Sequence, residues 1–268
     1  MTPRGNVVSQ FQSFIDDGMA TRLLATVPGP LSEPRLYLPK VSVVIPTINE
    51  AKNLPYVLPH IPNWVHEVII VDGRSVDDTV EVARKLRSDV RIVFEPRKGK
   101  GAALRAGFAA ARGDIIAMLD ADGSMNPKEI ILLVAALVSG ADFAKGSRFI
   151  QGGGTSDMTL FRMIGNWCLT KAVRALHGET FTDLCYGYVA FWSNHRAALR
   201  LNCDGFEIET MLSIRAIKNK LNIFEVPSFE SNRIHGPSNL HAIPDGWRVL
   251  KTILRECFDK SEMPSANA

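Results

Sequence analysis

The stretch "IIAMLDADGSMNPKEIILLVAALVSG", Ile115 to Gly140, decides the fold. Five apolar residues lead into two aspartates, Asp120 and Asp122, one residue apart. Pro127 then stands where a helix opens, and Gly140 stands just past its end, the usual placement of these two residues. A short, wholly apolar run followed by a helix reads as a strand buried on both faces, feeding a crossover.

Upstream, the same unit recurs. "VSVVIP", "EVIIVD" and "VRIVFE" read as strands. "NEAKNLPYVLPHI" is expected as a helix interrupted by Pro55 and Pro59. "SVDDTVEVARKLRSD" and "GKGAALRAGFAAARG" follow as helices, the second with Gly113 as its C-cap. Strands alternating with helices over residues 41–140 predict an α/β fold whose sheet is mostly parallel, with helices on both faces. Ligands of such sheets bind outside the carboxyl ends of the strands. The polar residues of interest collect there: Pro46 to Glu50, Asp72 to Ser75, and Asp120 to Ser124.

Downstream the pattern loosens. "GSRFIQGGGTSD" is a Gly-rich loop and "MTLFRMIGNWCLTKAVRALHG" a broadly apolar helix. "YGYVAFW" and "NIFEVP" read as strands on either side of a helix through "IETMLSIRAIKN". "SNRIHGPSNLH" is a polar, basic loop before a closing helix, "DGWRVLKTILRECF". Residues 1–39 read as an N-terminal arm with a Pro-rich stretch and one short helix around Phe11 to Leu24. A single domain over residues 40–240 is expected to divide into halves near residue 147, with residues 241–268 as a C-terminal helix and tail.

Composition narrows the classes. In 268 residues, 31 basic side chains against 28 acidic ones leave a net charge of +3, too small to argue for nucleic acid. The four cysteines (Cys168, Cys185, Cys203, Cys257) have no metal-ligand spacing and read as reduced thiols of a cytoplasmic protein. No apolar run approaches the roughly 20 residues that span a bilayer, so no transmembrane segment is expected. "RKGKGAALRAGF" matches neither a dinucleotide fingerprint nor a Walker loop, and its glycines are read as room for a ligand or a helix start.

In an extended segment residues i and i+2 point the same way, so Asp120 and Asp122 can share one hard cation. The same pair also suits a solvated turn, and D-x-D alone does not choose. Asp72 suits a hydrogen bond to a base or ribose, or equally an Asx-turn.

Four segments in this order, "VSVVIPTINEAKNL", "VIIVDGRSVDDT", "GKGAALRAGFAAARGDIIAMLDADG" and "AKGSRF", resemble inverting family 2 glycosyltransferases of GT-A (Rossmann-like) fold. "GSRFIQGGG", "FTDLCYGYVAF", "GFEIETML" and "VPSFESNRIHGPSNL" resemble the dolichol/polyprenol-phosphate mannosyltransferase branch. The resemblance covers about residues 41–240. It implies a nucleoside pocket lined by Pro46, Glu50 and Asp72, with Lys100 near the nucleotide. It implies Mg²⁺ or Mn²⁺ on Asp120 and Asp122, bridging the donor diphosphate. Arg148 and Arg162 would hold an acceptor lipid phosphate, and Arg233, with Ser238, would clamp the diphosphate. The implied reaction is transfer of a hexose from a GDP-mannose or UDP-glucose type of donor to polyprenyl phosphate at the cytoplasmic membrane face.

Two departures bear on this. The family often has paired aspartates where this chain has Asp72-Gly73 and then Arg74, which leaves guanine and uracil both open. Ser124 stands where the branch often has Gln. A phosphate oxygen is already anionic and needs no general base, whereas a hydroxyl acceptor does, and Asp183, Glu207 and Glu209 are the candidates. On the helix from Met158 to Leu176, Arg162, Asn166, Thr170 and Arg174 form one side. Leu160, Phe161, Ile164, Cys168 and Ala172 form an apolar face suited to a membrane interface. A soluble family 2 transferase acting on a hydroxyl, and a nucleotide-sugar-binding protein without turnover, are the competing readings.

Overall fold

The computed structural model describes residues 38–178 and 181–259. The expected arm helix around Phe11 to Leu24 lies outside them, as does the tail from residue 260.

The apolar runs become strands β1 (Val41–Thr47), β2 (Glu67–Asp72), β3 (Arg91–Phe94), β4 (Ile115–Met118) and β5 (Phe143–Ser147). Helices α1 (Thr79–Leu86), α2 (Lys100–Ala110) and α3 (Ile130–Val138) connect the later of them. The second half adds β6 (Gly154–Thr155), α4 (Leu160–His177), β7 (Val189–Trp192), α5 (Arg196–Leu199), α6 (Ile208–Lys218), β8 (Ile223–Pro227), β9 (Phe229–Glu230) and α7 (Ala242–Phe258).

Seven strands form one sheet in the order β3-β2-β1-β4-β7-β5-β8. Only β7 runs against its neighbours, pairing antiparallel with β4 and β5; the other pairings are parallel. β6 and β9 form a separate two-stranded ribbon. The described residues from Lys40 onward belong to one compact unit.

Period-two alternation explains why the strands are apolar throughout. Val43, Ile45, Val68, Ile70, Ile115 and Ala117 face one core, packed with Leu54, Leu58, Leu133 and Leu137. Val44, Ile69, Val71, Ile116 and Met118 face the other, against Leu104, Phe108, Met211 and Leu212. A third cluster joins Val173 of α4, Ile214 of α6 and Val249 and Ile253 of α7.

Two expectations are corrected. The segment after β1 is not an α-helix but two 3-10 turns, Leu54–Tyr56 and Leu58–His60, each with a proline at its start. Two prolines four residues apart remove too many donors for an α-helix to continue. Gly113 does not cap α2, which ends at Ala110. A Cβ on Gly113 would lie 2.6 Å from the Lys40 carbonyl oxygen, so glycine is required there by the close approach of β1. On the polar side of α4, Asn166 and Thr170 turn inward, while Arg162 is half-buried and Arg174 exposed. Asn166 and Thr170 are 4% and 9% exposed, while Leu160, Phe161, Ile164 and Trp167 are 71%, 63%, 54% and 61% exposed. Asn166 Oδ1 accepts from the Cys185 backbone N–H at 3.0 Å, and Thr170 Oγ1 donates to the Asn166 carbonyl. These bonds satisfy the two polar side chains that α4 buries beside Val173.

Among the described residues, no helix is long and apolar enough to cross a membrane.

Candidate active site

β1 and β4 are neighbours, yet the chain leaves β1 toward β2 on one side and reaches β4 on the other. This is a switch point, where the strand ends part and leave a crevice. A cavity of about 1050 Å³ opens there, lined by Pro46, Glu50, Lys100, Asp120, Asp122, Arg148, Arg162, Arg233 and Ser238 among others. Of the site residues that the family resemblance implies, Asp72 alone is not in its wall.

β4 ends at Met118, so the two aspartates sit in the turn beyond it, not in the strand. Gly123, at φ +81°, reverses the chain, a conformation that a side chain strains. Asp122 Oδ1 accepts from the Ser124 backbone N–H at 3.0 Å and tightens the same turn. Ser124 is 8% exposed and its carbonyl accepts from the Ser231 N–H. Its backbone thus ties the aspartate turn to the basic loop.

Lys100, at the start of α2, bridges two carboxylates: its Nζ lies 2.7 Å from Asp120 Oδ1 and 2.6 Å from Glu209 Oε1. Burial pushes the Asp120 carboxyl up to about 6; Lys100 opposes this, and Asp122 and Glu209 add to it. Burial also works against the Lys100 ammonium, but Asp120 and Glu209 outweigh it and hold its pKa above the usual lysine value. The charge at this end is therefore a tight group of one cation and several carboxylates.

Arg233 reaches the same place from the opposite side. Its NH2 donates to Glu50 Oε1 at 2.6 Å and its NH1 to Asp122 Oδ2 at 3.2 Å. Its Nε donates to the His235 carbonyl, which also accepts from Asn53 Nδ2. Ser238 Oγ accepts from the Leu240 N–H within this loop.

Arg148 is 4% exposed and firmly committed. It donates to both oxygens of Asp183, at 2.6 and 2.8 Å, and to Glu230 Oε2 at 2.8 Å. Its guanidinium lies 4.6 Å from the Tyr186 ring centroid. Arg162 is half-buried at the cavity mouth, donating to Asp157 Oδ2 at 2.8 Å. Asp72 is 4% exposed, and its carboxylate accepts from the backbone N–H groups of Arg74 and Ser75. The Asx-turn alternative is the one its geometry matches.

Two residues were passed over in the sequence. Glu230 holds Arg148 and accepts from Thr155 Oγ1 at 2.8 Å. Its place in the short β9, before the basic loop, gives no sequence signal. Lys145, fully buried in β5, donates to the Tyr186 carbonyl and so holds the "DLCYG" loop. Burial pushes its pKa down, against the pull of Asp183, Glu209 and Glu225. Of the three base candidates only Glu209 lines the cavity; Asp183 is occupied by Arg148, and Glu207 Oε2 is buried without a partner elsewhere.

The donor set can be tested against a cation. Among the described residues no group of three or more His, Cys, Asp or Glu side chains is arranged to hold a metal. Asp120 and Asp122 offer oxygen only, and Lys100 and Arg233 already sit on part of it. That fits a hard divalent ion held by one or two carboxylates and completed by substrate phosphates. It does not fit a resident metal in an all-protein cage.

Comparison with known proteins gives the family. The family model described as Glycosyl transferase family 2 matches residues 42–200. A dolichol-phosphate mannosyltransferase of Pyrococcus furiosus is 32% identical over 216 residues, covering 75% of this chain but only 59% of that protein. An uncharacterized glycosyltransferase of Mycobacterium tuberculosis is 45% identical over 222 residues, covering 78% of this chain and 97% of that one. The crystal structure of glucosyl-3-phosphoglycerate synthase from Mycobacterium tuberculosis, with phosphoglyceric acid, superposes with a TM-score of 0.65 at 26% identity. It covers 85% of this chain and 82% of the other.

Proposed function

Because the chain belongs to glycosyl transferase family 2, we propose that it is a hexosyltransferase acting on polyprenyl phosphate, with a nucleotide diphosphate sugar as donor and Mg²⁺ or Mn²⁺ as cofactor. One observation carries the reading. A single cavity joins the aspartate turn, Lys100 and Arg233 to Arg162 at its mouth, beside the exposed apolar side chains that open α4. A phosphate on an isoprenoid chain needs that combination: a cation for the headgroup and an apolar surface next to it.

The diphosphate lies at the β1/β4 crevice, with Arg233 and Lys100 as its protein cations. A divalent ion on Asp120 and Asp122, when bound, adds charge neutralisation to the leaving group. Fixed positive groups of this kind lower the barrier because they need not reorganise as charge develops. The acceptor phosphate oxygen attacks the anomeric carbon from the far side as the bond to the donor β-phosphate breaks. No proton has to be removed from that oxygen. Arg162 orients the headgroup, and Arg148, neutralised by Asp183 and Glu230, holds the shape of the cavity wall. Ser238 and Pro46 complete the donor side, with Glu50 setting the direction of Arg233.

Membrane contact extends this reading. On α4 and α7, Trp167 and Trp247 are 61% and 57% exposed. The ammonium of Lys171 lies 5.7 Å from the first ring and that of Lys251 lies 5.6 Å from the second. Exposed indoles flanked by lysines suit an anionic bilayer surface. A second reading, a soluble phosphorylated acceptor, is favoured by the likeness to glucosyl-3-phosphoglycerate synthase. There Glu209 would serve as the carboxylate near an attacking hydroxyl.

The test is a transfer assay with GDP-mannose and UDP-glucose, each with Mn²⁺ or Mg²⁺, against a short polyprenyl phosphate in anionic vesicles and against 3-phosphoglycerate. Metal-dependent product on the lipid phosphate is expected. Turnover of 3-phosphoglycerate without lipid product selects the second reading. Nucleotide binding with no transfer to either acceptor rejects both.

A further inference from the structure

We infer that Arg74, not a carboxylate, reads the nucleobase of the donor; this rests on the nucleotide-sugar reading of the cavity. With the diphosphate at the β1/β4 crevice, the nucleoside extends toward β2, where Pro46, Thr47, Ile48, Gly73 and Arg74 form the wall.

The carboxylates near that wall are already engaged. Asp72 is buried, and its two oxygens accept the N–H groups of Arg74 and Ser75. Glu50 accepts from Asn53 Nδ2 at 2.5 Å with one oxygen and from Arg233 with the other. Position 73 adds no side chain, and a Cβ there would approach the Thr47 carbonyl oxygen to 3.3 Å. A base whose ring N–H needs a free carboxylate therefore finds none in this wall.

Arg74 is the opposite case. It lines the cavity, and among the described residues its guanidinium has no hydrogen-bond or ion-pair partner. Its backbone is at φ +72°, the left-handed region that an L residue with a side chain avoids. Such a conformation persists only where surrounding bonds determine it, and functional sites are where it collects. Here the bonds are plain. Asp72 clamps the turn from within. Asn49, itself at φ +57°, accepts the Val76 N–H with Oδ1 at 2.8 Å and donates its own N–H to Ser75 Oγ at 2.9 Å. The ends of β1 and β2 are thus latched together, and the Arg74 Cα is fixed in place beside the base.

The exposed side chain carries a planar, donor-only fork, which matches a base edge with two adjacent acceptors. Guanine presents O6 and N7 in that way, and Arg pairs with both at once. Uracil places an N–H between its two carbonyls and gives Arg one acceptor at a time. Adenine has N7 beside an amino donor. Cytosine, with N3 beside O2, is the other base with adjacent acceptors. The wall therefore prefers guanine over uracil and adenine.

Calorimetric titration of the full chain in Mn²⁺ with GDP, UDP, CDP, ADP and 7-deaza-GDP tests this, with Arg74→Ala in parallel. GDP is expected to bind about tenfold more tightly than UDP, within the range of a good bidentate base contact. Arg74→Ala should bring GDP to the level of UDP while changing UDP less than about twofold. The 7-deaza analogue, lacking the N7 acceptor, should fall several-fold on the wild-type protein and not on the variant. UDP or ADP binding as tightly as GDP overturns the inference. So does an Arg74→Ala variant that weakens every nucleotide alike, since that is a phosphate or ribose contact. If no nucleoside diphosphate binds the wild-type protein, the donor reading itself falls and this inference falls with it.

Discussion

Among the described residues, Arg233 is the one side chain that touches both strand ends of the crevice, through Glu50 beyond β1 and Asp122 beyond β4. Its two carboxylate partners hold the guanidinium where a diphosphate would lie. Arg233→Ala is therefore expected to lower kcat about 100-fold, the usual cost of removing one fixed group that stabilises developing charge. Arg233→Lys should recover only part of this, since an ammonium cannot serve two carboxylates as a planar fork does. Steady-state kinetics with unchanged circular dichroism would check both, and an unaltered kcat for Arg233→Ala removes the arginine from the mechanism. The aspartate turn, Lys100 and the basic loop were legible in the sequence because short motifs carried them. The occupancy of Arg148 and Asp72 was not. Arg148 is held by Asp183 and Glu230, far along the chain, and no local pattern announces that pairing. Asp72 is a turn residue and a strand-end carboxylate at once, and only the direction of two backbone N–H groups separates the roles.

α4 shows where periodicity misleads. Its sequence presents a polar side and an apolar side, and the ordinary rule puts the apolar one inside. Here Asn166 and Thr170 face inward because the "DLCYG" loop brings a backbone N–H that needs an acceptor. The helix and its apolar face were read from the sequence; the burial of Asn166 and Thr170 was not. Two substitutions separate the faces. Asn166→Leu leaves the Cys185 N–H unsatisfied and should destabilise the protein by about 1–3 kcal/mol. Replacing Phe161 and Trp167 together by Ser should change stability little, as exposed sites do, within about 0.5 kcal/mol per site. That pair should instead weaken cosedimentation with anionic vesicles at least roughly tenfold, because each large apolar side chain buried in a bilayer interface contributes about 1.5–3 kcal/mol. Equal vesicle binding by the Ser variant would detach α4 from the membrane.

The mostly parallel sheet was readable from the apolar runs, but its strand order was not. Periodicity says that a segment is a strand and which faces it buries, and nothing about its neighbours. The reversed β7 enters between β4 and β5, and β8 closes the edge, so both halves of the chain share one sheet and one crevice. A ligand in that crevice touches the ends of β1 and β4 and also the basic loop after β9. Binding then opposes unfolding of the whole domain, because the unfolded chain holds none of these groups together. At a free ligand concentration of about 100 times Kd, linkage gives roughly 2.7 kcal/mol. For a chain of this size each kcal/mol raises Tm by about 2–4 °C, so a shift of roughly 5–11 °C is expected with GDP and Mn²⁺. The cation completes its shell from the diphosphate and not from a protein cage, so the effect should be mutual. Mn²⁺ alone should shift Tm little, the nucleotide with excess EDTA should shift it less than the pair, and the two together should exceed the sum. Differential scanning fluorimetry reads all three, and an EDTA-insensitive nucleotide shift would place the diphosphate on Lys100 and Arg233 alone.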